Sequence, residues 1–356
     1  MTHVFVAPHP DDIALSCGGL VANLREMGQN VTILCVYSGA GGGASTTDYQ
    51  RTVLGFGNKT VWPLLEAFRR DNIAPDYKLV PNDAGNPPWM ADPERIDVTQ
   101  ARANTQARQF WQRAAWTRSA NITAVETEHR PLADSISAQA TLEGVDWASA
   151  DAMAVRRAEE ERYAYLLESA VVFLDLPDAA SRGYQGDEQL LGQVRDDDPP
   201  PYEIVRREIV RLEPQMVYFP LAVGNHVDHQ LVREVGQALL AEGRRWVMPG
   251  PIFLGRLSFY EDFPYAWWHD FEGLSATGEG LGLDLPAGVA LEAQYCDISD
   301  LLERKAAGIR LYASQLAQLF ESDQGLLDDL YGYHSRVALS GGVSGYAERY
   351  WATVKP

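Results

Sequence analysis

Two short apolar runs near the N-terminus constrain the fold more than any other feature of this sequence. Residues 4–7 form the first run, which ends at Pro8, and residues 31–37 form the second. Between them, apolar residues at helical spacing follow a Gly-Gly pair. A strand, a helix and a strand within about forty residues predict a βαβ unit, whose two strands pair in parallel through a right-handed crossover.

Further strands and helices are predicted to alternate along the rest of the chain. The apolar runs that predict strands lie at residues 170–174, 216–219 and 252–254. The helical patterns lie at residues 154–169, 201–211, 232–242 and 299–319. Almost continuous apolarity is typical of strands that are covered on both faces. The pattern therefore predicts an α/β fold with a Rossmann-like open, mostly parallel sheet and helices on both faces.

The stretch from Thr46 to Ala150 interrupts this alternation. It contains no clear βα unit, although it holds Trp62, Trp89, Trp111, Trp116 and Trp147. Because a structureless loop of this length is unusual in a compact domain, we interpret residues 46–150 as a subdomain inserted into one catalytic domain that spans residues 1–356. The insertion follows a predicted strand at the edge where doubly wound sheets bind ligands, so we expect it to lie over the active site.

A histidine and two aspartates follow the first predicted strand. His9 and Asp12 are three residues apart in a turn braced by proline, so both side chains can point at one cation. Imidazole and carboxylate groups are both suitable ligands for Zn²⁺. Asp11 cannot easily turn to the same point, which leaves its carboxylate free to accept a proton from water. The motif predicts a metal site with a base beside it.

A second histidine and aspartate cluster follows the predicted strand at residues 216–219. Because parallel strands end at the same edge of a sheet, we expect it to lie beside the first cluster. His226 and His229 are three residues apart, so either can bind the metal while the other serves as an acid or stabilises an oxyanion. Asp228 can orient a histidine and fix its tautomer.

These motifs resemble the LmbE-like (PIG-L-type) zinc-dependent N-deacetylases. The most specific match is the run from Ala7 to Asp12, followed by Leu15 and Cys17-Gly18-Gly19. Later matches occur in the family's order: Arg157, Glu160 and Ala164, residues 173–178, residues 226–229, Lys305, Ala306, Tyr312, Ser314 and Gln315, and residues 346–350. The resemblance covers residues 1–45 and 154–356. It departs from the family at Ile13, where many members have glutamate, and in the length of the insertion.

The resemblance implies a role for each residue of the two clusters. It implies that His9, Asp12 and His229 bind one Zn²⁺ per chain, with another divalent ion as the alternative. It assigns the general base to Asp11 and transition-state stabilisation to His226. We place Asp228 with the catalytic residues as an orienting group. Arg157 is a candidate substrate-binding residue, and the alternative is a structural helix pair with Glu160.

The function that the resemblance implies is hydrolysis of an amide. We expect the chain to remove an acyl group, with acetyl the first expectation, from an N-acetylated amino sugar or glycoconjugate. One alternative is an amidase that acts on a larger N-acyl or thiol-conjugate amide. Another is a non-catalytic sugar- or nucleotide-binding α/β module with a structural metal. Structural zinc normally has four protein ligands, so the spare groups Asp11 and His226 argue against the module.

The charge balance bears on partners and location. The chain has 49 acidic and 30 basic residues and a net charge of −19, which repels phosphate backbones and anionic lipid. We therefore expect a small-molecule N-acyl sugar or conjugate as substrate, with no nucleic acid and no membrane, and leave a homo-oligomer open. No apolar run has membrane-spanning length and no signal peptide is evident at the start, so we expect a cytoplasmic location.

Overall fold

The computed structural model describes residues 1–39, 152–242, 257–320 and 323–354. The strands are β1 (Thr2–Ala7), β2 (Asn30–Cys35), β3 (Ala170–Phe173), β4 (Met216–Pro220), β5 (Leu257–Tyr260), β6 (Ala290–Asp297) and β7 (Ala347–Val354). The helices are α1 (Asp12–Glu26), α2 (Ala152–Leu166), α3 (Asp187–Leu190), α4 (Tyr202–Leu212), α5 (Val227–Glu242), α6 (Tyr265–Trp268), α7 (Leu302–Ile309), α8 (Ala313–Leu319) and α9 (Asp323–Gly341). The predicted insertion, residues 46–150, lies outside the described residues.

All seven strands belong to one sheet, in the order β3-β2-β1-β4-β5-β7-β6. Neighbouring strands from β3 to β5 pair in parallel, whereas β7 pairs antiparallel with both β5 and β6. In the register, Phe5 of β1 lies between Ile33 of β2 and Tyr218 of β4. This architecture confirms the predicted α/β fold with a mostly parallel sheet, and it adds an antiparallel edge that the sequence patterns did not predict.

The order of the strands reverses next to β1. Strands β2 and β3 lie on one side of it, and β4 and β5 lie on the other. In open α/β sheets, the connections at such a switch point run in opposite directions and leave a crevice at the carboxyl ends of the strands. β1 ends at Ala7 and β4 ends at Pro220, so the chain leaves the sheet on both sides of this crevice with its two histidine and aspartate motifs.

Burial explains why these strands read as continuous apolar runs. Val4, Phe5, Val6 and Ala7 of β1 are completely buried, as expected of a strand with neighbours on both sides and helices packed against the sheet. The expectation that every strand is covered on both faces is wrong for β3. Ala170 is exposed and its other residues are partly buried, because among the described strands β3 pairs with β2 alone and forms one edge of the sheet.

The helix predictions need several corrections, and the short helices α3 and α6 were not predicted. The helix expected over residues 232–242 begins earlier, at Val227, so it carries Asp228 and His229 in its first turn. The helix expected over residues 299–319 is divided into α7 and α8. The chain leaves the helical path between them, and the Tyr312 hydroxyl donates a hydrogen bond of 2.8 Å to Oε2 of Glu160. Helix α9 was not predicted. In the part of the chain that the structure describes, no helix is long and apolar enough to cross a membrane.

The fifth strand also differs from its prediction. The apolar run at residues 252–254 lies outside the described residues, and the strand that pairs with β4 is Leu257–Tyr260. Ser258 interrupts the apolar residues of this strand, so its apolar run is less apparent in the sequence than that of β4. This displacement matters for the site, because the residues that follow β5 reach the same crevice as those that follow β1 and β4.

A buried ion pair fixes helix α1, which supports the first motif. Lys305 Nζ of α7 lies 2.7 Å from Oε1 of Glu348 in β7, and both side chains are almost completely buried. The same carboxylate accepts hydrogen bonds from the backbone N–H groups of Gly19 and Leu20 at 2.8 and 2.7 Å. A Cβ atom at Gly19 would lie 2.5 Å from Cγ2 of Ile298. Only glycine therefore allows α1 to approach this closely.

We expect Lys305→Met to lower the free energy of unfolding by about 3–5 kcal/mol, because it leaves the Glu348 carboxylate buried without a cation. Adding Glu348→Gln should recover part of this loss. Arg211→Met is the matched control, since Arg211 forms its ion pair with Glu208 on the surface and its loss should cost less than about 1 kcal/mol. Guanidinium unfolding measures all three variants. Equal losses for the two single variants would contradict the anchoring role.

Candidate metal and catalytic site

The two sequence motifs meet in the crevice at the ends of β1 and β4. The ring centroid of His9 lies 4.9 Å from that of His226 and 5.4 Å from that of His229. One ring nitrogen from each of the three histidines lies within 4.8 Å of the others, and all three residues are buried. The tertiary structure therefore collects three imidazoles that could hold a metal ion.

Asp12 places its carboxylate between two of these histidines. Its Oδ2 lies 3.5 Å from Nδ1 of His9, and its Oδ1 lies 3.5 Å from Nε2 of His229. Nitrogen and oxygen ligands about 2.0–2.1 Å from a tetrahedral metal are separated by roughly 3.3 Å. The spacing and chemistry of His9, Asp12 and His229 therefore fit a single divalent cation.

Two further carboxylates hold the outer nitrogens of His9 and His229. Asp228 Oδ2 lies 2.7 Å from Nε2 of His9, and Asp262 Oδ1 lies 2.7 Å from Nδ1 of His229. Such carboxylate–histidine pairs fix the orientation and tautomer of metal-binding histidines. Among the described residues, His226 has no carboxylate partner of this kind. The geometry therefore favours His9 and His229 as ligands over His226.

Asp228 is fully buried, and donors surround its carboxylate. Its Oδ1 accepts a hydrogen bond of 2.6 Å from Arg182, and its Oδ2 accepts one of 2.9 Å from the backbone N–H of Ala179. The guanidinium of Arg182 also lies 4.5 Å from the ring centroid of Tyr37. These contacts compensate the buried charge, so Asp228 can hold the His9 ring in one orientation.

Asp11 stands beside the cluster in a strained backbone conformation. Its φ of 106° is rare for a residue other than glycine, and such strain costs about 1–3 kcal/mol. Its carbonyl accepts the first hydrogen bond of α1, from Leu15 at 3.0 Å, and its N–H donates to Glu160 Oε2 at 2.9 Å. Helix α2 thus fixes the strained turn that carries Asp11.

A buried arginine accompanies the Asp11 carboxylate. Arg156 Nη2 lies 3.5 Å from both carboxylate oxygens of Asp11 and donates a hydrogen bond of 3.1 Å to the carbonyl of Pro10. Burial raises the pKa of Asp11, and the positive charge of Arg156 opposes that rise. A carboxylate whose pKa moves towards neutrality is suited to accepting and returning a proton.

The pKa values of the candidate ligands His9 and Asp12 are shifted in opposite directions. Burial alone would lower the pKa of His9, but its contacts with Asp12 and Asp228 outweigh burial and raise it to about 10. Burial would raise the pKa of Asp12, but the neighbouring His229 and His9 lower it instead. Strongly perturbed groups that face each other in a cleft are typical of functional sites. The shifts arise because these imidazoles and carboxylates face one another at the place where a cation could bind.

His226 is held as a neutral imidazole. Burial and the nearby charge of His9 lower its pKa well below the usual value. Its Nδ1 lies 3.2 Å from the backbone N–H of Asp228, which donates to it. A neutral ring that accepts through Nδ1 carries its proton on Nε2, so His226 has an N–H to donate from its other side.

The arginine nearest to Asp11 is not the one that the motif pattern singled out. Arg157 forms an ion pair with Asp175, and its guanidinium lies 4.4 Å from the ring centroid of Phe173. Its side chain is about one-third exposed, whereas Arg156 is buried. Substrate binding by Arg157 stays a prediction.

Sequence reasoning missed Arg156, Arg182, Asp262 and Tyr265. Asp262 follows β5 as His9 follows β1, so correct placement of that strand would have revealed it. Tyr265 begins α6, and its ring centroid lies 6.1 Å from that of His229. Burial, and then the charges of Asp12 and Asp11, raise the pKa of its hydroxyl, so this group stays protonated. The two arginines carry no signal in the sequence that separates them from other arginines.

Comparisons with known proteins identify relatives of this chain. The family described as PIG-L, GlcNAc-PI de-N-acetylase, matches residues 4–73. A 2'-N-acetylparomamine deacetylase from Streptomyces fradiae is 34% identical over 164 residues, which cover 45% of this chain and 53% of that protein. The chain thus spans about half the length of the curated relative that it matches.

Solved structures share the fold of this chain. A zinc-inhibited form of teicoplanin deacetylase Orf2 aligns with a TM-score of 0.56 at 19% identity and covers 100% of this chain and 99% of its own. The A40926 pseudoaglycone deacetylase Dbv21 aligns with a TM-score of 0.51 at 18% identity and covers 99% and 97%. The match of the PIG-L family model to the first motif region and the sequence relative confirm the resemblance to PIG-L (LmbE-like) deacetylases, and the solved structures confirm the fold.

Proposed function

We propose that this chain is a metal-dependent deacetylase that hydrolyses the amide of an N-acetylated amino sugar or glycoconjugate. The observation that carries the proposal is the position of Asp11, a buried carboxylate next to His9, Asp12 and His229. Among the described residues, its carboxylate forms its ion pair with Arg156 and none with the nitrogens of His9 and His229 that face Asp12. A metal that only supports the fold would not need this spare base. The relative from Streptomyces fradiae, named as a deacetylase of an amino sugar, supports the same reaction.

We propose His9, Asp12 and His229 as the protein ligands of one Zn²⁺. Two imidazoles and one carboxylate are a suitable donor set for this ion, and the carboxylates of Asp228 and Asp262 hold the outer nitrogens of both histidines. When bound, Zn²⁺ lowers the pKa of a water molecule to roughly 7 and polarises the acyl oxygen. Three protein ligands leave a position open, as catalytic sites require.

The residues of the chain then carry the proton and stabilise charge. Asp11 takes the proton as water attacks the acyl carbon, and it returns the proton to the departing amine. His226 Nε2–H donates to the oxygen that becomes negative, which requires only the neutral imidazole that the structure holds. Arg156 keeps the carboxylate of Asp11 in place.

The substrate class is tested by the release of free amine. The panel is N-acetylglucosamine, 2'-N-acetylparomamine and the same sugars with a longer acyl group, each assayed before chelation, after chelation and after Zn²⁺ is restored. Hydrolysis of the acetyl sugars that stops on chelation and returns with metal supports the proposal. Preference for the longer acyl groups would favour the amidase alternative instead. A cytoplasmic location and a homo-oligomer remain predictions.

We expect Asp11→Asn to lower kcat by about a hundredfold or more, because the amide cannot accept the proton, while zinc content stays at the wild-type level. Metal analysis of the purified protein and an amine-release assay check both parts. Asp197→Asn is the control, since it removes an acidic charge whose side chain is 82% exposed. An active Asp11→Asn variant would remove Asp11 from the reaction.

The two histidines that follow β4 should respond differently to alanine. His229→Ala should lose bound zinc, because it removes a direct ligand. His226→Ala should keep the metal and lose about a hundredfold in kcat through the missing hydrogen bond to the oxyanion. Metal content after dialysis, together with kcat, distinguishes the roles. Loss of zinc from His226→Ala alone would exchange the two assignments.

Asp262→Asn tests the carboxylate that the sequence analysis missed. An amide oxygen accepts the His229 hydrogen bond less strongly than a carboxylate, so we expect zinc affinity to fall by about 10- to 100-fold. Competition with a chromophoric chelator measures this change. Asp284→Asn, at an exposed position near Leu283, is the control for charge. Equal affinities in the two variants would show that Asp262 does not support the ligand.

A further inference from the structure

A series of aromatic rings leads away from the metal ligands. The ring centroid of Tyr265 lies 6.1 Å from that of His229 in a T-shaped arrangement. Trp268 lies one helical turn further along α6, and its ring centroid is 5.8 Å from that of Tyr265. His229 is buried, whereas Trp268 is 44% exposed. The rings therefore form a continuous wall from the candidate site to the surface, which we call the α6 wall (Tyr265 and Trp268).

The ring of Tyr265 is held by packing, whereas its hydroxyl forms no hydrogen bond within the part of the chain that the structure describes. A Cβ atom at Gly224 would lie 2.7 Å from this ring, so the loop after β4 packs closely against it. The positive φ of 89° at Gly224 also excludes most other residues there. Among the described residues, none forms a hydrogen bond with the Tyr265 hydroxyl. Tyr265 is only partly buried, so its hydroxyl is available to a ligand.

Trp268 is exposed but fixed in position. Its indole N–H donates a hydrogen bond of 3.0 Å to Oδ2 of Asp329, and the N–H of Trp267 donates one of 2.9 Å to Oδ1 of the same carboxylate. Its contacts with Tyr265 and Phe320 are both T-shaped, so no described ring stacks on its face. Among the exposed large apolar side chains that the structure describes, it is the only aromatic one.

These properties suit a carbohydrate ring. The apolar face of a pyranose packs on a flat aromatic ring, while its hydroxyl and amide groups seek hydrogen bonds at the edges. An isolated exposed tryptophan would not indicate a site. Here the exposed ring belongs to a series that runs from Trp268 through Tyr265 to His229. Because the Trp268 ring is fixed, it loses little conformational entropy when a ligand binds.

We propose that the α6 wall is the subsite for the sugar ring of the substrate, with the ring stacked on Trp268 and a polar group of the substrate hydrogen-bonded to the Tyr265 hydroxyl. This inference rests on the proposed function and deepens it. It places the sugar on the β5 side of the crevice, and it makes Trp268 a determinant of sugar binding that does not take part in the chemistry.

Steady-state kinetics on N-acetylglucosamine and 2'-N-acetylparomamine test the role of Trp268. Trp268→Ala should raise KM by about two- to tenfold, with kcat and zinc content unchanged, because a stacked ring contributes equally before and during the reaction. Trp268→Phe should restore part of the loss. Trp267→Phe is the matched control: it removes a neighbouring bond to Asp329 from the same helix and should leave KM at the wild-type value.

Tyr265→Phe tests the hydroxyl without removing the ring. It keeps the packing on His229 and Gly224, so zinc content and thermal unfolding should match the wild type, while kcat/KM on the same sugars falls by about two- to tenfold. Tyr346→Phe is the control, because that ring also packs against another aromatic ring, Tyr331, but lies ahead of β7. Unchanged kcat/KM in Tyr265→Phe would overturn the hydrogen bond.

The outcome for the subsite can be separated from that for the reaction. If the wild type hydrolyses the acetyl sugars and Trp268→Ala keeps its KM, the subsite is wrong and the proposed function stands. If the wild type releases no amine, the proposed function fails, and binding of glucosamine followed by calorimetry still decides the subsite. Weaker binding by Trp268→Ala than by Trp267→Phe supports it, and equal binding overturns it.

Discussion

Charge compensation inside a buried crevice is the constraint on which the rest of this structure depends. Asp12, Asp228 and Asp262 are all buried where the carboxyl ends of the strands meet, and a buried carboxylate without a partner is strongly destabilising. His9 and His229 supply the partners, each between two of these carboxylates. The same arrangement leaves two imidazoles and one carboxylate facing a common point, which is the chemistry that a divalent cation requires.

The scaffold serves this arrangement by fixing the start of α1. Lys305 and Glu348 join the middle of that helix to α7 and β7, and Glu160 holds the strained backbone of Asp11 at its beginning. Strain of this kind persists only where the surroundings over-determine it. Asp11 and Asp12, the proposed base and the proposed ligand, are adjacent in the sequence, and the positive φ of Asp11 sets its backbone apart from that of the helix that Asp12 begins.

The sequence patterns predicted most strands of the parallel part of the sheet, and they missed the other strands for physical reasons. β1, β2 and β4 are continuous apolar runs because both of their faces are covered, and such runs are readily visible. β5 contains Ser258, and β6 exposes alternate residues at the antiparallel edge, so neither stands out by apolarity. Because strand β5 was not predicted, Asp262 was missed as well. Which face of α2 turns inwards, and therefore the burial of Arg156, depends on how that helix packs.

By itself, the sequence determined the chemistry of the site. Histidine and aspartate placed directly after β1 and β4 must meet when those strands pair in parallel, because the carboxyl ends of parallel strands lie at one edge. Only the tertiary structure decided how that chemistry is supported. Asp262 for His229, Asp228 for His9 and Arg156 for Asp11 are contacts between elements far apart in the chain, and no local pattern encodes which side chains such packing brings within hydrogen-bonding distance.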